Sequence, residues 1–249
     1  PMLSLDKTKE VGALESWLDD KEGLLSWKLD GLTIVLTYQD GKLAKAVTRG
    51  DGITGEVITS NARVFDNIPL QIPRKEEMVI RGEAVITYAD FEEINRTIGD
   101  ADAKYKNPRN LCSGTVRQLN NEITARRHVK FYAFSLAAGG DDCETRQEQL
   151  ELLKKQGFET VEYVKVTRET IADAVADFEQ KIADFPVPSD GLVLIYDDIA
   201  YGRSLGSTSK FPRDSIAFKW MDEQKETILQ DVLWNVSRTG LINPIAVFE

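Results

Sequence analysis

Lys28, Asp30 and Gly31 stand in the run Lys28-Leu29-Asp30-Gly31, which leads into the apolar, β-branched segment Leu32-Thr33-Ile34-Val35-Leu36-Thr37-Tyr38. On an extended chain, residues i and i+2 project from one face. The amine and the carboxylate would therefore look into the same space, with glycine allowing a bend or the close approach of a ligand. A nucleophilic amine that attacks phosphorus needs this fixed presentation. At a pKa of about 10.4, roughly one free lysine in a few thousand is neutral at pH 7, so burial or a neighbouring cation has to lower that value. Asp30 works the other way, since it favours the ammonium. Its expected tasks are to orient the amine, take a proton or hold a metal ion. Taken alone, the four residues also fit an ordinary strand-end ion pair.

Other chemistry-bearing stretches follow. Thr48-Arg49-Gly50-Asp51-Gly52-Ile53-Thr54-Gly55 places three glycines beside an arginine, which suits a backbone cradle for an anion or a plain flexible loop. Arg81 and Glu83 interrupt the strand-like run Met78 to Ile86 on the face shared by Val79 and Val85, and such charges need a pair or a ligand. Between Lys104 and Lys130 lie seven basic residues and one acid, Glu122, although the whole chain carries a net charge of −10. A local positive face on an acidic body fits a phosphate-backbone partner, and equally a solvated basic loop.

The elements that must hold these residues can be read from periodicity. Val11, Leu14, Trp17 and Leu18 predict a helix over 10–20, and Asp40-Gly41 a hairpin turn into a return strand from Leu43 to Arg49. Thr87-x-x-Asp90 and Thr145-x-x-Glu148 resemble capping boxes, the second opening a helix that Gly157 ends. Strands are expected over 131–136, 161–166, 190–196 and 215–220, and a further helix through Ile171, Val175, Phe178 and Ile182. From Thr227 the pattern changes, giving expected domains of 1–224 and 225–249. At 249 residues, a chain can bury about three quarters of its unfolded surface, enough for one large domain with a small companion. No apolar run approaches ~18 residues, so no membrane span is expected. Cys112, Cys143 and the single His128 exclude a four-ligand zinc site built from cysteine and histidine, and a disulfide framework. A reducing, cytoplasmic setting is expected.

Taken together, the separated motifs resemble the adenylation domain of bacterial NAD-dependent DNA ligases. The stretches that carry the likeness are Pro1-Met-Leu-Ser-Leu5, Lys28-Leu-Asp-Gly31, Thr48-Arg-Gly-Asp-Gly52, Val79-Ile-Arg-Gly-Glu83, Asn107-Pro-Arg-Asn110 with Val116-Arg-Gln-Leu119, Asp190-Gly191, Leu205-Gly-Ser-Thr-Ser-Lys210 and Ala217-Phe-Lys219. The resemblance implies an α+β nucleotidyltransferase (ATP-grasp-like) fold of mixed, mostly antiparallel sheets with flanking helices, followed by the start of an OB barrel. It further implies that Lys28 takes AMP from NAD with Mg²⁺ present and passes it to the 5′-phosphate of nicked duplex DNA. Ser4, Leu5, Ser26, Arg49, Glu83, Ile195 and Lys219 would surround the nucleotide, and Arg109 and Arg117 would face DNA phosphates. Lys219 would also help lower the pKa of Lys28. A monomer is expected; the metal ligands stay open.

Two positions depart from the family. Ser26 stands where a glutamate is usual and Ile195 where a lysine is usual, so the charges lost are opposite. Restoring one alone is expected to leave an unmatched charge, at about 3–5 kcal/mol if the two pair. Residues 1–23 hold no aromatic and acidic cluster to grip nicotinamide mononucleotide. The abrupt start, and the absence of the family's other domains, suggest a trimmed or reduced chain that reacts slowly with NAD. A nucleotidyltransferase using ATP or GTP, and a non-catalytic nucleotide- or DNA-end-binding relative, remain as alternatives.

Overall fold

The lysine-bearing strand lies inside a sheet, with a partner on either side. A computed structural model describes residues 3–99, 104–220 and 226–249. Numbered along the chain, its first sheet runs in spatial order β1 (Asp6–Thr8), β9 (Ser215–Phe218), β8 (Ser189–Tyr196), β2 (Gly23–Leu29) and β7 (Tyr163–Val166). Only β1 and β9 pair in parallel. The second sheet, antiparallel throughout, runs β4 (Lys42–Thr48), β3 (Leu32–Gln39), β5 (Met78–Val85) and β6 (Lys130–Ala138).

The apolar run after Lys28 therefore does not continue its strand. It breaks at Asp30-Gly31, and β2 and β3 enter different sheets. Gly31 is required at this corner, because a Cβ there would lie 2.0 Å from the Ala84 carbonyl oxygen. The hairpin between β3 and β4 turns as expected: Asp40 (φ 50°) and Gly41 (φ 71°) are both left-handed, the twist that a two-residue turn needs.

The main core fills the space between the sheets. Leu24 of β2 joins Ile34, Leu36, Met78, Ile80 and Phe131 of the second sheet, with Leu111 of α4 (Pro108–Thr115) and Leu153 of α6 (Arg146–Lys155). Each such side chain, fully buried, contributes about 1.5–3 kcal/mol. On the other face of β2, Trp27 stacks on Phe185 at 4.3 Å and meets the edge of Phe178, in α7 (Ile171–Lys181), at 4.7 Å. Alternation along β2 thus turns Trp27 towards the helices and leaves Ser26 and Lys28 on the opposite face.

Both capping sites are formed. Thr87 accepts from the Asp90 N–H, and Thr145 and Glu148 close a full capping box. The basic stretch, readable as a loop, instead contains α4 and α5 (Asn121–Ala125). Asn107 caps α4 with Pro108 in its first turn, a start signal that the sequence does contain. A short helix α8 (Ile199–Leu205), capped by Asp198, was likewise not expected.

The chain divides into two units, Pro1–Lys219 and Trp220–Glu249. The expected boundary between residues 224 and 225 lies outside the described residues. In the second unit, β10 (Leu229–Val236) and β11 (Ile242–Phe248) form an antiparallel ribbon with Leu233, Trp234, Ile242, Ile245 and Phe248 exposed. Two such strands are marginal by themselves in water.

Candidate active site

The register between β2 and β8 builds the centre of the site. Trp27 faces Leu192 and Leu29 faces Ser189, so β8 carries one extra residue opposite Lys28. This bulge contains Asp190 and Gly191. Gly191 has φ 149°, and a Cβ on it would lie 2.1 Å from the Phe218 carbonyl oxygen. Asp190 is thereby presented to Lys28 Nζ, which donates to Oδ1 at 2.6 Å, while Lys219 Nζ donates to Oδ2 at 2.9 Å. Burial works to raise the Asp190 carboxyl, but its two lysine partners outweigh it and hold the group below the usual carboxylate range. The sequence contained Asp190-Gly191, but nothing in it told which residue would face the lysine.

Asp30 does not pair with Lys28. Its Oδ1 accepts from Arg109 at 2.7 Å, which brings the first turn of α4 to the site. Glu83 lies beneath the β2–β3 corner. It accepts from the Gly31 N–H at 3.1 Å and from the Thr33 hydroxyl at 2.8 Å. Burial pushes its pKa up to about 7, against those two hydrogen bonds and the charges of Lys28 and Arg109. Arg81 and Glu83 were expected to pair or to meet a ligand, and they do not pair with each other. Arg81 is half-buried, and no hydrogen bond or ion pair joins it to a described residue. Burial lowers its pKa against the field of Asp214.

The remaining candidates lie around this centre. Arg49 donates to Ser4 Oγ at 3.3 Å, which ties the N-terminal arm, with partly buried Leu5, to the glycine-rich loop. That loop is not an empty cradle: Asp51 Oδ1 takes the Ile53 and Thr54 N–H groups at 2.9 and 2.7 Å, so its anion is its own side chain. Arg117 is ion-paired with Glu56 and stays partly exposed.

Ser26 and Ile195 share a small cavity of about 30 Å³ at the edge between the sheets, together with Phe134, Ser135, Arg146 and Gln149. Phe134 is the extra residue of a bulge in β6, since Arg81 faces Ser135 and Gly82 faces Ala133. The bulge turns its ring outward, 38% exposed. Arg146 donates to Gln149 Oε1 at 3.3 Å and to Asp214 Oδ2 at 3.2 Å. Its presence alters one expectation: a glutamate at position 26 would meet a cation already in place.

Among the described residues, no group of three or more histidine, cysteine or acidic side chains could hold a metal ion. Mg²⁺ commonly binds through one or two carboxylates plus substrate phosphates, which Asp30 and Asp190 can satisfy. The arrangement offers a strand-mounted amine, a second amine, a shared carboxylate and a buried glutamate. That set can receive a phosphate ester with a neighbouring polyol. No helix among the described residues is long and apolar enough to cross a membrane.

Comparison with known proteins agrees with this chemistry. Residues 1–223 match the family described as the NAD-dependent DNA ligase adenylation domain. A DNA ligase of Lachnoclostridium phytofermentans is 63% identical over 250 residues, spanning 100% of this chain and 38% of that protein. A DNA ligase of Ruminiclostridium cellulolyticum is 61% identical, with the same coverage. The chain thus spans well under half the length of these curated relatives. Among solved structures, an archaeal ATP-dependent RNA ligase superimposes with a TM-score of 0.51 at 15% identity, covering 88% of this chain and 48% of that one, a likeness of fold.

Proposed function

Because this chain belongs to the family of NAD-dependent DNA ligase adenylation domains, we propose that it is the part of a nick-sealing enzyme that takes up AMP on Lys28. The observation that carries the reading is the pairing of Lys28 and Lys219 through Asp190 at the β8 bulge.

In the first step, Lys28 Nζ attacks the adenylyl phosphorus of NAD. A P–N bond forms, the P–O bond to nicotinamide mononucleotide breaks, and the amine gives up its proton. Asp190, already hydrogen-bonded to that amine, is the nearest acceptor. An incoming phosphate competes with Asp190 for Lys219, and that cation then faces the charge that develops on phosphorus. Mg²⁺, held by Asp30 or Asp190 with the phosphates, would neutralise further negative charge. Glu83 stands where a ribose hydroxyl could donate to it, and Arg49 and Ser4 close over the same end. AMP then passes to the 5′-phosphate of nicked duplex DNA, and the adjoining 3′-hydroxyl displaces it. Arg109 and Arg117 would face the DNA backbone.

The ribbon of β10 and β11 would open an OB-type barrel, whose closure would cover its exposed apolar side chains. A reducing, cytoplasmic setting fits two free cysteines, and we take the protein to act as a monomer. Intact mass after incubation with NAD, ATP or GTP in Mg²⁺ tests the reading: one AMP should attach from NAD. Attachment from ATP or GTP alone would favour the other nucleotidyltransferases, and no attachment to the complete parent protein would favour a binding module.

A further inference from the structure

The face of β2 that carries Lys28 also carries Ser26 one pleat away, about 6.6 Å along the strand. If the phosphate lies at Lys28, the base of the same nucleotide reaches the cavity of Ser26, Ile195 and Phe134. This step rests on the function proposed above. A cavity of about 30 Å³ admits water and not a purine, so the base would lie over the mouth, on the exposed ring of Phe134, with one edge turned inward.

The groups awaiting that edge are mostly donors. Arg146 is largely buried, its side chain 17% exposed, and is braced by Asp214 and Gln149. Two of its five N–H groups are used there, leaving three. Arg81, the cross-strand neighbour of Ser135, does not line the cavity but adds a second half-buried guanidinium near enough to act on Arg146, without a hydrogen bond to any described residue. The Asp214 carboxylate is engaged by Arg146, and that of Glu151 accepts from the hydroxyl of Tyr163, another residue of the cavity lining, at 2.6 Å. Position 26, from which a carboxylate could accept the 6-amino group of adenine, holds only a hydroxyl.

We propose that Arg146 is the specificity-determining residue for the base, and that its guanidinium accommodates 6-oxo purines alongside adenine. Adenine offers this fork a single ring-nitrogen acceptor. Hypoxanthine and guanine offer O6 and N7 together, the pair that an arginine fork fits best.

The test is calorimetric binding of AMP, IMP and GMP to the whole chain, in the wild type and in Arg146→Ala and Arg146→Lys variants. In the wild type, IMP and GMP should bind within about fivefold of AMP. Arg146→Ala should weaken IMP and GMP about tenfold more than AMP, the scale of one bidentate contact. Arg146→Lys keeps the charge beside Asp214 without the fork, and it should show the same selective loss in a folded protein. A wild-type preference for AMP above about a hundredfold, or an equal loss for all three nucleotides in the lysine variant, would overturn the inference and leave the proposed function standing. Failure of all three to bind the wild type would remove both.

Discussion

Lys28 lies in β2 and Lys219 directly follows β9, two strands that flank β8 without pairing with each other, and the two lysines are joined through one carboxylate: Asp190 holds the first at 2.6 Å and the second at 2.9 Å. Replacing Asp190 by asparagine leaves two partly buried cations without their shared counter-charge. Asp190→Asn should lower stability by about 1–2 kcal/mol, less than for a fully buried pair because all three side chains keep some water contact. It should also slow nucleotide attachment more than about tenfold. Denaturant melts and time-resolved intact mass measure the two effects. A variant as stable and as fast as the wild type would show that the bridge is incidental.

Lys28→Arg keeps the positive charge opposite Asp190 but offers no lone pair for attack. Covalent nucleotide should vanish while the melting curve stays close to that of the wild type. Peptide mapping that placed AMP on Lys219 or Lys210 would sink the assignment.

Glu83 gives a pH dependence whose sign can be worked out. Its folded pKa of about 7 lies above the ordinary 4.5, so the native state binds the proton more tightly than the unfolded chain. The resulting stability is complete below about pH 4.5 and is lost as the pH rises through 7. Glu83→Gln cannot ionise and should remove this dependence. Between pH 4.5 and 8 the wild type should lose up to about 3 kcal/mol relative to the variant. Parallel stability curves would show that Glu83 titrates normally.

Ser26 and Ile195 line one cavity with Arg146, which ranks their replacements. Ser26→Glu places a carboxylate near a cation, whereas Ile195→Lys adds a cation to one. The lysine variant should be the less stable of the two, and adding the glutamate should recover it, with a coupling of at least about 1 kcal/mol. Additive effects in a double-mutant cycle of melts would make the positions independent.

The strands around Lys28, the Asp40-Gly41 turn and the two capping sites were legible because each depends on neighbours within a few residues. Lys28, Asp30 and Glu83 could be singled out as charges in awkward places. Their partners could not. Asp190 reaches Lys28 through a bulge set by Gly191, Phe134 turns outward through another, and Arg146 arrives from a helix more than a hundred residues downstream of Ser26. Bulges follow from pairing register, which a single strand's pattern does not state. Gly31 was legible as a place where the chain can bend, but not that the bend separates two sheets: the carbonyl of Ala84, on another strand, is what excludes a side chain there.

If Lys28 takes up AMP as proposed, the bridge at Asp190 also means that loading would change the site that performs it. Once Lys28 Nζ is bonded to phosphorus it is no longer an ammonium, and the contact at Oδ1 loses its charge. Asp190 then answers to Lys219 alone, beside a newly attached anion. A charged relay of three becomes a competition between two negative groups for one cation. On the function proposed above, a loaded protein would therefore be electrostatically primed to give its cargo away, and return of the amine would reset the latch.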